Sequence, residues 1–530
     1  MPRTRTVGTA LAGVATAGLL IALVPGNAGA QTSAAESVES APAACASRPN
    51  DSIPELLECV TLAGVHNHQQ AFQRIANNTD GTRASGTPGY DRSLNYVVKK
   101  LREAGYDPVV QPFDFPFFQE LSPPLFEQTE PTERTFVQDT DFATMDFSGS
   151  GDVTGSITPV DLLLPPVGGS TSGCEPEDFD GFPAGNIALI QRGTCDFVVK
   201  AQNAQDAGAS AAIIFNEGNA PDRIEILFGT LGEPSVTIPV IGTSFQVGQD
   251  LLASGTTVHI VTDTFGEIRS TANVIADLAG KRQRVIQVGG HLDSVPEGPG
   301  INDNGSGSAA ILEVAIQMAH TTPVNTVRFS WWGAEEANLV GSTFYVDDLA
   351  ANAPRELNRI KAYLNFDMVG SPNFARFVYD GDQSTFPEDL VPIPAGSAEI
   401  EDVFERYYSD RNLAFEDTAF DGRSDYQAFA LAGIPSGGLF TGAEDIKTDE
   451  QAAAYGGTAG EAFDPCYHQA CDTFANKSNE VLRQNSDAIA YATFTLANAR
   501  NLPGEAASAA ATAEAASRDR TGFNPFRAAA

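Results

Sequence analysis

The stretch VIQVGGHLDS, residues 285–294, decides the fold. Residues 285–289 form an apolar run of the kind that is buried on both faces of a sheet. A helix is expected next, over 309–319, and then a second apolar strand over 324–332. Apolar strands that alternate with helices are typical of a parallel α/β sheet. This stretch therefore predicts a mostly parallel or mixed sheet with helices on both sides.

The same alternation continues along the chain. We expect strands over 360–366 and 437–440, and helices over 339–349, 424–432 and 487–499. Together these elements predict one α/β domain over about 270–502.

A segment of different character precedes that domain. Between about 145 and 265, short β-like runs are separated by Gly- and Pro-rich turns: 161–164, 187–191, 211–216 and 258–262, with one helix over 197–207. Nothing in the segment has a catalytic pattern. We interpret it as a small α+β domain inserted between two parts of the larger one. Residues 31–140 are then the N-terminal part of the larger domain, with helices predicted over 56–75 and 90–104 and strand and loop over 111–135.

The two ends of the chain have their own composition. Arg3 and Arg5 precede an apolar stretch over 7–24, and Ala28-Gly29-Ala30 offers a cleavage site. This is the layout of a secretory signal peptide, so residues 1–30 are expected to be removed near Ala30 and the chain to be secreted. No later stretch is apolar enough to span a bilayer, and residues 503–530 are an Ala-rich tail that is expected to be flexible.

Length and charge restrict the class of protein. A chain of 530 residues is expected to form two or more domains. The 42% of hydrophobic residues is ample for a packed core, which excludes a wholly disordered chain. The formal net charge of −36 argues against binding to nucleic acid or to anionic lipid. We expect a monomer.

The six cysteines fit an exported protein. They fall as close pairs in the sequence: Cys45 and Cys59, Cys174 and Cys195, Cys466 and Cys471. Six cysteines allow fifteen pairings, and we expect the local ones, in sequential order. The spacings are not those of zinc-binding C-x-x-C pairs.

Side chains that can bind metal or transfer protons follow the ends of the predicted strands. His291 and Asp293 follow the first strand, Glu335-Glu336 the second, and Asp367 the third. In open α/β sheets this carboxyl edge is where ligands bind. Asp303 lies in a Gly-rich loop over 300–307, which lets the backbone turn tightly.

A further histidine, His468, is bracketed by Cys466 and Cys471, and a disulfide there would hold it rigidly. Two imidazoles and at least three carboxylates suit zinc. Because five ligands are too many for one tetrahedral ion with an open position, we expect two ions. Asp303 is the natural bridge between them.

The remaining acids need separate roles. Asp293 follows His291 by two residues, and we expect it to accept the imidazole N–H. Successive side chains at a strand end point in different directions, so one residue of the Glu335-Glu336 pair can bind metal while the other faces the substrate. A Glu of the second kind is the expected general base.

The ordered motifs resemble the secreted bacterial two-zinc aminopeptidases, of the aminopeptidase Y and leucyl aminopeptidase type. These motifs are GHLDS at 290–294, NDNGSG at 302–307, EE at 335–336, NFDM at 365–368 and CYHQACD at 466–472. RASGTPGY at 83–90 is similar to the opening motif of the family. The resemblance covers about 75–110 and 270–500.

The resemblance implies a role for each matching residue. His291 and Asp367 would bind one zinc ion, Glu336 and His468 the other, and Asp303 would bridge the two. Glu335 would be the general base, and Tyr467 would donate its hydroxyl to the oxyanion. The residues that match positions contacting the substrate or its first side chain are Met368, Gly422, Arg423 and Phe440. The implied substrates are peptides with a free N-terminus and a large apolar first residue such as Leu.

The inserted segment resembles a protease-associated domain, from GNIALIQRG at 185–193 and the run over 204–215. Such domains are thought to influence substrate access or binding. Some relatives also bind calcium through a carboxylate just before Asn485-Ser486-Asp487. Arg483 stands near that place here, which argues against a calcium ion.

Three alternatives share parts of this pattern. A two-zinc carboxypeptidase or acyl-peptide hydrolase on the same fold has similar ligands, but the motif at 466–471 favours the aminopeptidase. A metal-free binding protein would have lost ligands, and every expected position is filled. A glutaminyl-cyclase-like enzyme uses one zinc, and the intact pair of sites counts against it.

Overall fold

The computed structural model describes residues 41–387 and 391–505. The predicted signal peptide and nearly all of the Ala-rich tail lie outside these residues. Within the described part of the chain, no helix is long and apolar enough to cross a membrane.

Helices make up much of the described chain, and their bounds are α1 (Ile53–Cys59), α2 (Leu62–Asn77), α3 (Pro88–Glu103), α4 (Phe197–Asp206), α5 (Phe245–Asp250), α6 (Gly305–Met318), α7 (Val340–Asn352), α8 (Pro354–Leu357), α9 (Ser397–Ser409), α10 (Tyr426–Leu431), α11 (Asp449–Tyr455) and α12 (Asn479–Asn498). The strands are β1 (Val109–Glu130), β2 (Arg134–Thr135), β3 (Phe142–Thr144), β4 (Gly151–Val160), β5 (Ile187–Gln191), β6 (Ala211–Phe215), β7 (Val240–Thr243), β8 (Thr257–Leu278), β9 (Arg282–His291), β10 (Asn325–Trp332), β11 (Ile360–Phe366), β12 (Phe377–Tyr379), β13 (Glu416–Thr418) and β14 (Ser436–Phe440).

The larger domain is built on a mixed sheet in the order β13-β12-β14-β11-β9-β10-β8. Its middle strands β14, β11, β9 and β10 are parallel, whereas β8 runs antiparallel to β10, and β12 runs antiparallel to β14 and parallel to β13. Trp332 of β10 lies beside His291 of β9. The predicted α/β fold class is confirmed, and its parallel strands end at one common edge.

Helices cover both faces of this sheet. On one face, α3, α6 and α12 pack against the sheet and share a core with side chains such as Val288 and Leu364, while α2 packs against these helices. On the other face, an aromatic cluster joins the sheet to α7 and α10, where the rings of Tyr363 and Phe429 stack with centroids 3.9 Å apart. Burial on both faces explains why these strands are mostly apolar.

The inserted domain has its own small sheet. Strands β4, β5, β6 and β7 are parallel, and β3 pairs antiparallel with β7. The long strands β1 and β8 form an antiparallel ribbon that connects the insert with the larger domain. At one end β8 pairs with β4, and at its other end it pairs with β10. The insert is therefore attached through a continuous ribbon rather than a loose linker.

Some predicted elements differ from the structure. The single helix expected over 56–75 is two helices, because the Thr61 side chain accepts a hydrogen bond from the Gly64 N–H and begins a second one. The strand expected over 161–164 is wrong, since β4 ends at Val160 and Asp161 has a φ of 37°. Helix α12 begins at Asn479 rather than 487, because its polar first turns are capped by Ser478.

The three disulfides join the cysteines in sequential order: Cys45–Cys59, Cys174–Cys195 and Cys466–Cys471. None of the described cysteines is free. The Cys466–Cys471 disulfide closes a short loop around His468.

Candidate metal centre

The carboxyl ends of β9 and β11 bring together three of the predicted ligands. His291 Nε2 lies 3.1 Å from Asp367 Oδ1 and 3.2 Å from Asp303 Oδ1. Ligand atoms of these three residues all lie within 4.8 Å of one another. All three side chains are buried, so the sequence-distant residues form one compact cluster.

A second cluster shares Asp303. The other oxygen of that carboxylate, Oδ2, lies 3.3 Å from His468 Nε2. The same nitrogen lies 3.1 Å from Glu336 Oε2. Ligand atoms of Asp303, Glu336 and His468 again lie within 4.8 Å of one another. The two oxygens of Asp303 thus face two different imidazoles.

Asp303 is held in place from behind by the Asp472 carboxylate. Asp472 Oδ2 accepts hydrogen bonds from the backbone N–H groups of Asp303 (2.9 Å) and Asn302 (3.1 Å). The next residue, Asn304, caps α6 by accepting from the Gly307 N–H. The loop is fixed on both sides of Asp303, so its carboxylate has one defined position.

The field at this centre favours positive charge. Burial opposes protonation of His291, but the Asp367 and Glu335 carboxylates prevail and raise its pKa well above the usual value. Burial likewise opposes protonation of His468, and Glu336 and Asp303 raise its pKa to about 11. An arrangement that binds protons this tightly at two nitrogens is suited to hold cations there.

The two glutamates occupy different places. Glu336 Oε2 faces His468, while its other oxygen, Oε1, is buried with no hydrogen-bond partner among the described residues. Glu335 Oε2 lies 3.8 Å from His291 Nε2, outside both clusters. Burial raises the pKa of Glu335 well above the usual value. Glu336 therefore lies in a group of side chains that could hold a metal ion, and Glu335 lies beside the two clusters with a carboxylate whose pKa is raised.

Asp293 touches both His291 and the glutamate segment. Its backbone oxygen lies 3.2 Å from His291 Nδ1, and its carboxylate Oδ1 lies 3.6 Å from the same nitrogen. That carboxylate oxygen also accepts the backbone N–H of Glu335 at 3.3 Å. Asp293 is placed to fix the imidazole and the glutamate backbone together.

The disulfide loop presents Tyr467 and His468 as a stacked pair, with ring centroids 3.8 Å apart. His468 adopts a φ of 55°, an uncommon conformation for a residue other than glycine. Arg423 Nη2 donates to the Tyr467 hydroxyl at 3.2 Å and pairs with Glu444 at 2.9 Å. Arg423 thus fixes the position of the Tyr467 hydroxyl.

A small cavity of about 100 Å³ opens beside the two clusters. Met368, Phe440 and Arg423 line it, together with all five predicted ligands, Glu335 and Tyr467. Gly422 does not line it, although its neighbours Asp421 and Arg423 do. The cavity has room for about one side chain, since a water molecule takes ~30 Å³.

Several residues that support the site had no role assigned from the sequence. Arg83 is completely buried and donates to the backbone carbonyls of Leu292, Pro299 and Gly300, which flank Asp293 and Asp303. Ser424 donates to Asp367 Oδ2 at 2.7 Å. Arg83 begins the RASGTPGY motif and Ser424 follows Arg423 in the sequence, but only the fold shows what these two residues contact.

Comparison with known proteins agrees with this geometry. Residues 273–493 match Peptidase family M28, and residues 153–251 match the PA domain. An aminopeptidase of Pseudomonas aeruginosa is 50% identical over 444 residues, which cover 83% of this chain and 81% of that protein. The chain belongs to peptidase family M28. It is a zinc-dependent aminopeptidase with an inserted PA domain.

Other relatives extend the comparison. Leucine aminopeptidase 2 of Trichophyton equinum is 47% identical over 327 residues, which cover 60% of this chain and 64% of that protein. Among solved structures, an aminopeptidase from Aneurinibacillus sp. strain AM-1 superposes with a TM-score of 0.63 at 25% identity and covers 86% of this chain and 98% of its own. A zinc aminopeptidase from Bacillus subtilis, at 24% identity and a TM-score of 0.55 over 83% of this chain and 96% of its own, shares the fold of this M28 chain.

Proposed function

We propose that this M28 aminopeptidase uses two zinc ions to remove large apolar residues such as Leu from the free N-termini of peptides. The observation that supports the ion count is the position of Asp303, whose two carboxylate oxygens face His291 and His468 separately. One carboxylate between two donor clusters is the arrangement expected of a bridging ligand.

The donors fit zinc in kind and number. His291 and Asp367 would hold one ion and Glu336 and His468 the other, with Asp303 shared. Mixed imidazole and carboxylate ligation suits zinc, and the unpaired Oε1 of Glu336 leaves a donor atom to spare. Bound zinc supplies a Lewis acid that polarises the scissile carbonyl and lowers the pKa of water.

Glu335 is proposed to move the proton. It stands next to the clusters without belonging to either, so its carboxylate is free to accept a proton from the attacking water. As the C–N bond breaks, Glu335 returns that proton to the departing amine nitrogen. A positioned general base of this kind typically contributes ~10²–10⁴-fold to the rate.

Tyr467 is proposed to stabilise the oxyanion of the tetrahedral intermediate. Burial, with the Asp303 and Glu336 carboxylates, raises the pKa of its hydroxyl far above the usual value, so the group keeps its proton as a donor. Arg423 orients the phenol by donating to it. A donor fixed before reaction is worth more than one that must reorganise.

The small cavity is proposed to hold the first side chain. Met368, Phe440 and Tyr379 give it an apolar wall. Two acids at its rim are already paired, because Asp421 accepts from the Tyr426 hydroxyl at 2.8 Å and Glu444 pairs with Arg423. The free apolar surface favours Leu-like side chains.

A free α-amino group is favoured by the carboxylates around this cavity. Acylation removes its positive charge and adds bulk, so an N-blocked peptide loses this attraction. The test compares Leu-p-nitroanilide with its N-acetylated form. Rapid cleavage of the free substrate alone is expected, whereas equal cleavage of both, or release of C-terminal residues from an N-blocked peptide, would contradict an aminopeptidase.

We also propose that the protein acts outside the cell. The predicted signal peptide and the three disulfides support export, because disulfides persist in oxidising compartments.

A further inference from the structure

A second, larger cavity lies between the insert and the metal centre. Its volume is about 500 Å³, and it is walled by the β1 ribbon, by the loop after β9 and by the insert. Glu336 and His468 line both this cavity and the small one. We name the larger cavity the insert cleft, and it is continuous with the proposed catalytic centre.

The small cavity has a volume of about 100 Å³, against about 500 Å³ for the insert cleft. An exopeptidase needs one small pocket for the single residue that it releases and a larger space for the remaining peptide. The small cavity holds about one side chain, so it can take only the residue that is released. The rest of the peptide must leave the centre by another route, and the insert cleft borders the same Glu336 and His468. The peptide that follows the scissile bond is therefore directed into the insert cleft.

The insert contributes directly to the cleft wall. Phe228 is 61% exposed, although it is a large apolar side chain, and it lines the cleft. Phe117 and Phe118 of β1 also line the cleft. An exposed aromatic at the mouth of a binding cleft offers a surface on which a peptide backbone can pack.

The cleft carries a strong negative charge. Its lining contains six carboxylates and no Lys or Arg among the described residues. Two of them, Asp293 and Glu336, belong to the candidate metal centre, where the proposed zinc ions would offset their charge. The other four belong to the cleft alone: Glu120, Asp139, Asp146 and Glu297.

Those four acids face the cleft and find few partners in the protein. Glu120 accepts a hydrogen bond from Gln138 at 3.2 Å, which leaves its negative charge uncompensated. The Asp146 side chain is solvent-exposed, yet the protein crowded around its carboxyl, with the Glu120 and Glu297 charges, raises its pKa to about 6. Glu120, Asp146 and Glu297 therefore lie near enough for their charges to interact.

We propose that the insert cleft binds the peptide after the scissile bond and selects Lys or Arg there against Asp or Glu, through Glu120, Asp139 and Glu297. This inference rests on the proposed aminopeptidase function and adds a second level of specificity to it. A cationic side chain gains attraction from the acids, and an acidic one meets repulsion in a partly enclosed space.

The test compares peptides that differ only after the first residue. Leu-Lys-Ala-Ala amide and Leu-Glu-Ala-Ala amide are cleaved by the zinc-loaded protein, and each kcat/KM is divided by that for Leu-p-nitroanilide. We expect the Lys peptide to be preferred by about tenfold or more. The variant Glu120→Gln/Asp139→Asn/Glu297→Gln should reduce this preference for the Lys peptide over the Glu peptide to about twofold or less.

A matched control removes the same charge elsewhere. Glu133→Gln/Glu177→Gln/Asp180→Asn changes three exposed acids that do not line the cleft, and it should keep the wild-type ratio. The inference is overturned if the wild type shows no preference, if the cleft variant keeps the ratio, or if the control lowers it equally. Failure to cleave Leu-p-nitroanilide at all would instead contradict the proposed function.

Two further measurements do not depend on the triple variant. Raising the salt concentration to about 1 M should bring the wild-type ratio towards one, because screening shortens the Debye length to ~3 Å. Phe228→Ser should lower kcat/KM for the tetrapeptides relative to Leu-p-nitroanilide. A ratio that does not change with salt, or a Phe228→Ser variant with unchanged peptide cleavage, would contradict the inference.

Discussion

Glu335 and Glu336 are adjacent in the chain, yet their carboxylates face different imidazoles. Glu335 Oε2 lies 3.8 Å from His291 Nε2, and Glu336 Oε2 lies 3.1 Å from His468 Nε2. The preceding residue, Ala334, has a φ of 54°, so the backbone turns sharply at the end of β10. This turn separates the two side chains and lets neighbours take different roles.

Substituting each glutamate by its amide separates those roles. Glu335→Gln should retain zinc and lose turnover by ~10²–10⁴-fold, because it removes the proposed base without removing a ligand. Glu336→Gln should lose zinc. Metal content and steady-state kinetics are measured on the same samples. Near-normal kcat in Glu335→Gln, or full zinc content in Glu336→Gln, would contradict the assignment.

The Cys466–Cys471 disulfide is expected to control metal affinity. It closes the loop that holds His468 at its positive φ. The variant Cys466→Ser/Cys471→Ser should bind zinc roughly 10–100-fold more weakly, the range seen when support for a ligand is lost. Competition with a chelator measures this affinity. Cys174→Ser/Cys195→Ser, in the insert, is the control and should bind zinc as the wild type does.

Arg83 is expected to be essential for the loops that carry the ligands. Its guanidinium is buried and donates to three backbone carbonyls, and burial lowers its pKa to about 10. Arg83→Met would leave those carbonyls without partners and should cost about 3–5 kcal/mol in the free energy of unfolding. Urea denaturation measures the change. Exposed Arg92→Met is the control, and an equal effect in both variants would contradict this role.

His66 is expected to make the protein sensitive to acid. Burial, with the nearby Lys477 charge, lowers its pKa from 6.5 to about 4. Between these two pKa values the unfolded chain binds a proton at His66 that the folded protein does not bind. The free energy of unfolding is therefore undiminished by His66 above pH 6.5 and decreases as the pH falls towards 4. His66→Gln should reduce this loss by about 1–2 kcal/mol.

Denaturation at several pH values tests that expectation, with His320→Gln as the control. The two variants should differ below pH 6 and converge near pH 8. Parallel pH profiles for His66→Gln and the wild type would contradict it.

The central sheet and the clustering of the candidate metal-binding residues could be predicted from the sequence for a physical reason. Buried parallel strands are mostly apolar, so His291 and Asp367, which directly follow such runs, mark where each run ends. All parallel strands end at one edge, and this brings residues close that are far apart in the chain.

Other features could not be predicted because they depend on distant partners. The contacts of Arg83 span more than 200 residues. Strands β1 and β8 are long because they pair with each other, and their exposed middle has no strong apolar pattern. The insert cleft likewise exists only once the fold has brought Phe228 and β1 to the same cavity.

The most direct test of the two-zinc centre is a titration of the chelated protein with zinc. Bound zinc per chain and activity on Leu-p-nitroanilide are followed on the same sample. Full activity should return as the second ion binds, at two per chain. Full activity with a single tightly bound ion, and no second one, would contradict a centre bridged by Asp303.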